Sequence, residues 1–223
     1  MNASLPGCDI ARIVRHIRAA PALPHSPGLH PEGDDTRDIV APPYTPAAVL
    51  VPFILGRVPS VLLTQRTSHL AKHPGQVSFP GGRIDPTDAS PEHAALREAQ
   101  EEIGLDPALV EIAGRLPDYI TGTGYRITPI LGLLPQGAEL GDLGLTLSPH
   151  EVEHAFELVL PALLDPATAE RRSREWRGRA RHFWVIAHPE QYIWGATAAI
   201  LVGLAARLRA VAAEELGQVF DQG

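Results

Sequence analysis

Arg97-Glu98-Ala99-Gln100-Glu101-Glu102 sets three carboxylates at positions n, n+3 and n+4 beside an arginine. At about 100° per residue on an α-helix, those glutamates share one narrow sector of the surface. Like charges so spaced destabilise a helix by roughly 0.2–0.5 kcal/mol per pair, so they stand either in water or around a cation. By itself the run reads most simply as a solvated face; its surroundings favour the cation. The donors are hard oxygens with no histidine or cysteine on the same face, which selects Mg²⁺ or Mn²⁺ over zinc. Such an ion takes one or two protein carboxylates and completes its shell with water and phosphate oxygens. Glu98, Glu101 and Glu102 are thus the candidate ligands. Gly81 and Gly82 let the chain turn tightly and bring backbone close to an ion or a phosphate. Arg97 can pair with Asp85 or Asp88 and hold the preceding loop against the helix.

The elements that must position these residues follow from local signals. Ser90 before Pro91 is a helix start and Gly104 a helix stop, which predicts a helix over Pro91–Ile103. Two apolar runs, Ala47–Leu55 and Ser60–Thr67, predict a β-hairpin, and Val77-Ser78-Phe79 leads into a Pro80-Gly81-Gly82 turn. Further strands are expected at Val110–Leu116, Ile127–Leu134, Ala155–Val159 and His182–Ala187. Helices are expected at Pro161–Asp165 and Trp194–Leu216. An N-terminal helix with Ile10, Ile13, Val14 and Ile17 at helical spacing, and Asp9 as its cap, precedes a proline-rich linker. The expected organisation is 1–46 for that helix and linker, 47–216 for one globular domain, and 217–223 for a tail. Strands on both sides of an acidic helix, with a further helix at the end, indicate an α/β sandwich with a mixed sheet.

Composition narrows the class. The chain has 223 residues, 44% of them apolar, enough for one sizeable core. A formal charge of −7 argues against a dedicated nucleic-acid binder. The single cysteine, Cys8, suits a reducing compartment. No secretory pattern opens the sequence, and the apolar run Ile193–Ala206 is shorter than a membrane span and reads as a buried helix. A soluble cytoplasmic protein without a membrane partner is the expectation.

Arg97 through Leu105 match, without a gap, the second half of the signature Gly-x5-Glu-x7-Arg-Glu-(apolar)-x-Glu-Glu-x-Gly-(apolar). The chain thus resembles the Nudix hydrolase family. The first half departs: Asp88 stands six residues after Gly82 where the signature has glutamate, and one extra residue separates it from Arg97. Upstream, Leu62-Leu63-Thr64-Gln65-Arg66, Gly75 and Phe79-Pro80-Gly81-Gly82 are similar to the motif that precedes this signature in coenzyme A pyrophosphatases. There Thr67 replaces a small residue, and Ala71 stands at the second arginine position with Lys72 after it. Thr123–Pro129, Glu151-Val152 and Ile193–Ala198 also resemble that subfamily, so the likeness covers roughly residues 45–205. The resemblance implies a Nudix-fold α/β/α sandwich that hydrolyses coenzyme A or acyl-CoA with Mg²⁺ or Mn²⁺, and it allows a homodimer. It also implies that a carboxylate, Glu98 or Glu151, takes the proton of the attacking water.

Recognition of coenzyme A requires a cationic pocket for its 3′-phosphate and an apolar groove for its pantetheine arm. Arg66 and Lys72 are the cationic candidates, with Arg66 equally readable as an internal ion-pair partner. His69 and His73 are read as surface or hydrogen-bonding histidines. Arg171–Arg181, with six arginines and one glutamate, is read as a solvated connection rather than a nucleic-acid grip. The rivals are a Nudix hydrolase for another substrate, such as ADP-ribose or NADH, and a non-catalytic Nudix-like binding module.

Overall fold

The computed structural model describes residues 10–22, 41–69, 74–176 and 178–221. Its centre is a mixed sheet built on β1 (Thr45–Leu55) and β7 (Tyr125–Gln136), which pair in parallel from Thr45 opposite Tyr125 to Leu55 opposite Gln136. β1 then shares its other edge between two antiparallel partners. β2 (Ser60–Arg66) takes the end around Phe53 and Ile54, and β4 (Gly81–Arg83) takes Ala47–Val49. β3 (Val77–Ser78) and β8 (Val152–Val159) flank β2, while β5 (Glu111–Arg115) and β6 (Tyr119–Ile120) flank β7.

β1 is apolar nearly throughout because both of its faces are covered. Val51, Phe53 and Leu55 join one core with α1 (Ile10–Ala19), α3 (Leu160–Leu164) and α4 (Gly195–Asp221). Ala48, Leu50 and Ile54 join another with α2 (Pro91–Ile103), through its Ala94, Ala95, Ala99 and Ile103. Successive side chains of one strand thus feed opposite layers, which is the α/β/α sandwich expected from the sequence. Ile103 is fully enclosed, so Ile103→Ala is worth about 2–5 kcal/mol of stability.

Several elements differ from expectation. Gly81-Gly82 is not a turn but part of β4, because Ala47–Val49 lie ready to pair with it. Arg171–Arg181 is not a connection: it forms a β-hairpin of β9 (Ala169–Trp176) and β10 (Arg179–Ile186), joined to β11 (Ile193–Trp194) in a second, three-stranded sheet. Gly178, at φ 73°, makes its turn. Between the ends of the first strand its residues are all polar, and apolar residues of the far strand lie opposite them: Phe183 faces Arg172 and Trp184 faces Arg171. α1 is in the main core through Val14 and Ile17. α4 continues through Gly217 to Asp221, with no proline after Leu216 to stop it. Its Gly195–Ala213 stretch is long and apolar enough to cross a membrane, and 56% of it is buried, as in a core helix.

Candidate active site

α2 delivers its glutamates against β4. Its start is set by Ser90, whose hydroxyl accepts the His93 N–H at 3.2 Å, a cap worth about 1 kcal/mol. Its end is set by Gly104 in the left-handed region, whose N–H reaches the Ala99 and Gln100 carbonyls. Between these ends, Glu98 lies on Gly82 so closely that a Cβ there would sit 2.5 Å from the carboxylate carbon. A Cβ at Gly81, where φ is 152°, would meet the Ala48 carbonyl at 2.5 Å. Gly81 is therefore required by the close approach of backbone, whereas a side chain at Gly82 would displace the Glu98 carboxylate. The Gly81 N–H donates to Glu102 Oε2 at 3.0 Å, and Arg66 Nη1, at the end of β2, stands 3.5 Å from Glu102 Oε1. The Glu102 side chain is only 6% exposed.

Arg97 builds a second arrangement alongside. Its Nε and Nη2 donate to the two oxygens of Asp88 at 3.1 and 3.0 Å, and Nη2 also reaches the Arg83 carbonyl at 3.2 Å. Nη1 is 3.1 Å from Glu101 and 3.0 Å from Glu98. Asp85 is more distant, at 3.9 Å. Asp88 also accepts the Asp85 N–H and faces His93 Nδ1 at 2.8 Å, leaving its side chain 1% exposed. Of the two acids the sequence offered to Arg97, Asp88 takes the fork. This Asp88–Arg97 link spans the extra residue that separates the chain from the signature.

Glu151 arrives from a third direction. The Thr146 and Ser148 N–H groups donate to the Ile103 and Glu102 carbonyls at 2.9 and 2.8 Å, closing the end of α2. The same segment turns back at Ser148, whose carbonyl accepts the Glu151 and Val152 N–H groups. The Glu151 carbonyl accepts the Thr67 N–H at 3.0 Å. Glu151 is near enough to Glu98 and Glu102 to raise the proton affinity of both.

Burial, above all, pushes Glu102 up to about 7; the Gly81 N–H and Arg66 oppose this, and Glu98 and Glu151 add to it. Burial likewise raises Glu98, against the pull of Arg97. Asp88 moves the other way, held well below the usual carboxylate range first by the Arg97 fork. Among the described residues no three acidic, histidine or cysteine side chains form a closed ligand set. Mg²⁺ and Mn²⁺ do not require one, and buried, mutually repelling carboxylates with one half-engaged arginine fit a small hard cation.

The structure thus brings together Glu98, Glu102, Glu151, Gly81, Gly82, Arg97 and Arg66. Arg66 engages Glu102. Glu101 is turned towards Arg97 and its side chain is 58% exposed. His69 is exposed. Lys72 and His73 lie outside the described residues, as does Asp9. Reading the sequence missed His93 as a partner of Asp88, and Arg83, whose Nη2 donates to the Tyr125 hydroxyl at 3.0 Å. Tyr125 lies in the Thr123–Pro129 segment already singled out, which was the available signal.

Comparison with known proteins covers the same elements. The model of the NUDIX domain matches residues 44–185. Proteins named Uncharacterized Nudix hydrolase NudL from Enterobacter sp. (strain 638) and Escherichia coli (strain K12) are each 41% identical over 162 residues, covering 73% of this chain and 82% of theirs. Among solved structures, the Nudix hydrolase RenU of M. smegmatis aligns at 20% identity and a TM-score of 0.49, over 77% of this chain and 87% of that one. With the domain match running across the strands and helix that assemble the acid cluster, and relatives 41% identical over 73% of the chain, this chain belongs to the Nudix hydrolase family.

Proposed function

We propose that the protein hydrolyses the diphosphate bond of coenzyme A or a coenzyme A derivative, giving 3′,5′-ADP and 4′-phosphopantetheine or its acyl form. One observation carries this reading. Leu62–Arg66 and Phe79–Gly82, two described parts of the stretch that resembles the coenzyme A pyrophosphatase motif, each bring a residue to the acid cluster: Arg66 and the Gly81 N–H both reach Glu102. Glu98 and Glu102, with Glu101 and the Gly81 carbonyl as further donors, would hold Mg²⁺ or Mn²⁺, which neutralises the diphosphate and acidifies water when bound.

The remaining work belongs to the chain's own residues. Arg97 locks the Asp85–Asp88 loop onto α2 and so keeps β4 in place under Glu98. Arg66 and the Gly81 N–H favour the ionised form of Glu102 against its burial. A water oxygen attacks phosphorus, the bridging P–O bond breaks, and Glu98 or Glu151 takes the water's proton. Glu98 suits this role because burial raises its proton affinity.

The test is product identification by mass spectrometry after incubation with coenzyme A, 3′-dephospho-coenzyme A, ADP-ribose and NADH, each with Mg²⁺ or Mn²⁺. The expected outcome is 3′,5′-ADP and 4′-phosphopantetheine, with coenzyme A the preferred substrate. Preference for ADP-ribose or NADH would overturn the substrate assignment. Binding without hydrolysis of any of them would make the protein a Nudix-like binding module.

A further inference from the structure

The arginines around the site differ in what neutralises them. Arg97 is shared among Asp88, Glu98 and Glu101, and Arg66 faces Glu102. A little further out, Arg115 pairs with Glu92 and Arg126 lies 3.7 Å from Asp118. Arg83 is the exception among these. Its guanidinium bonds a neutral phenol, the Tyr125 hydroxyl at 3.0 Å, and lies 5.6 Å from the centre of that ring. Arg83 is exposed and follows Gly82, the residue on which Glu98 rests. Its backbone is pinned as well, because Arg97 Nη2 holds the Arg83 carbonyl at 3.2 Å.

Tyr125 is itself firmly set. Its N–H donates to Thr121 Oγ1 at 3.0 Å, and its carbonyl accepts the Thr121 N–H at 2.9 Å. The result is a planar cation that no carboxylate among the described residues hydrogen-bonds, with the charge of Asp85 acting on it only from a distance, oriented by an aromatic ring and one residue from the acid cluster. A guanidinium presented in this way matches a phosphate through paired N–H donors.

We infer that Arg83 and Tyr125 form the subsite for a phosphate monoester on the nucleotide half of the substrate, the 3′-phosphate in the case of coenzyme A. This rests on the function proposed above and names the group that reads the phosphate by which coenzyme A differs from its dephospho form. Arg83 would make the contact. Tyr125 acts through it as a positioning residue.

Wild type, R83Q, R83K and Y125F are compared in two assays. The first is the ratio of kcat/KM for coenzyme A over 3′-dephospho-coenzyme A. The second is calorimetric binding of 3′,5′-ADP against AMP, which needs no turnover. Wild type is expected to prefer the 3′-phosphorylated member of each pair. R83Q should reduce that preference by about 10–100-fold, the loss of a charge-assisted contact. R83K should be intermediate, because it keeps charge without the fork, and Y125F should reduce the preference least. An unchanged preference in R83Q, or an equal loss on both members of a pair, overturns the subsite. If wild type hydrolyses neither coenzyme A compound, the proposed function fails, while the binding pair still decides the role of Arg83. Melting curves separate misfolding from either result, and R83K keeps the test available should R83Q melt early.

Discussion

Asp88, in the loop before α2, and Glu102, in the last turn of that helix, are both enclosed, yet their proton affinities move in opposite directions. Asp88 receives a two-pronged guanidinium, a backbone N–H and a histidine, and is held strongly acidic. Glu102 receives one backbone N–H and an arginine at 3.5 Å, and burial pushes it up to about 7. The first acid is a closed structural joint, satisfied by the protein alone. The second is left short of positive charge, and that shortfall is what a cation would meet. Adjacent carboxylates can therefore be sorted into joint and site by what already neutralises them.

The largest effect should come from Glu102→Gln, which is expected to lower turnover by orders of magnitude while raising the melting temperature of the metal-free protein at pH 8. Near wild-type turnover in saturating Mg²⁺ or Mn²⁺ would erase the distinction between joint and site. Arg97→Gln should do the reverse to stability. It strands the enclosed Asp88 carboxylate, at a cost of about 3 kcal/mol, or about 10 °C in melting temperature for a domain of this size. A melting curve within 2 °C or so of wild type would show that Arg97 is no joint.

The pH dependence should be opposite for the two acids. Glu102 is raised from 4.5 to about 7, so between these values the folded metal-free protein holds more protons than the unfolded chain, and its contribution to stability falls as pH rises. Asp88 is lowered from 3.8, so its contribution is present above that value and is lost as pH falls below it. Mn²⁺ binding near pH 6 should then release protons, seen as a calorimetric heat that depends on the ionisation enthalpy of the buffer. Equal heats across buffers would contradict the raised Glu102. The smallest effect is expected at Glu92, which Arg115 lowers from 4.5 to about 2. That pair is half-exposed on the arginine side, so Arg115→Gln should cost only about 0.5 kcal/mol and less in high salt. A loss of several degrees would mean that exposure does not separate the two kinds of pair.

α2 was legible residue for residue, from Pro91 to Ile103, because cap, first-turn proline and stop glycine are all local signals. The glutamate spacing and the Arg97–Asp88 pairing were legible for the same reason, with the choice between Asp85 and Asp88 left to the loop. Gly81-Gly82 was misread as a turn because its partner, Ala47–Val49, lies more than thirty residues upstream. The hairpin at Ala169–Ile186 stayed hidden because charged residues occupy most of the first strand and obscure the period of two. Arg83 and Tyr125 are 42 positions apart, and only the parallel pairing of β1 with β7, beside β4, brings them together.

The segment Thr146–Val152 closes the end of α2 and sets Glu151 using main-chain atoms: N–H groups to the Glu102, Ile103 and Ser148 carbonyls, and a carbonyl to Thr67. Peptide groups are common to nearly every residue type, so the spacing between Glu151 and the α2 glutamates depends on chain length more than on side-chain identity. Over evolutionary time this stretch can exchange exposed residues such as Pro149 or His150 for others while Glu151 keeps its station. Gaining or losing a single residue there would shift it. The segment acts as a ruler marked in peptide units, tolerant of rewriting and intolerant of being lengthened.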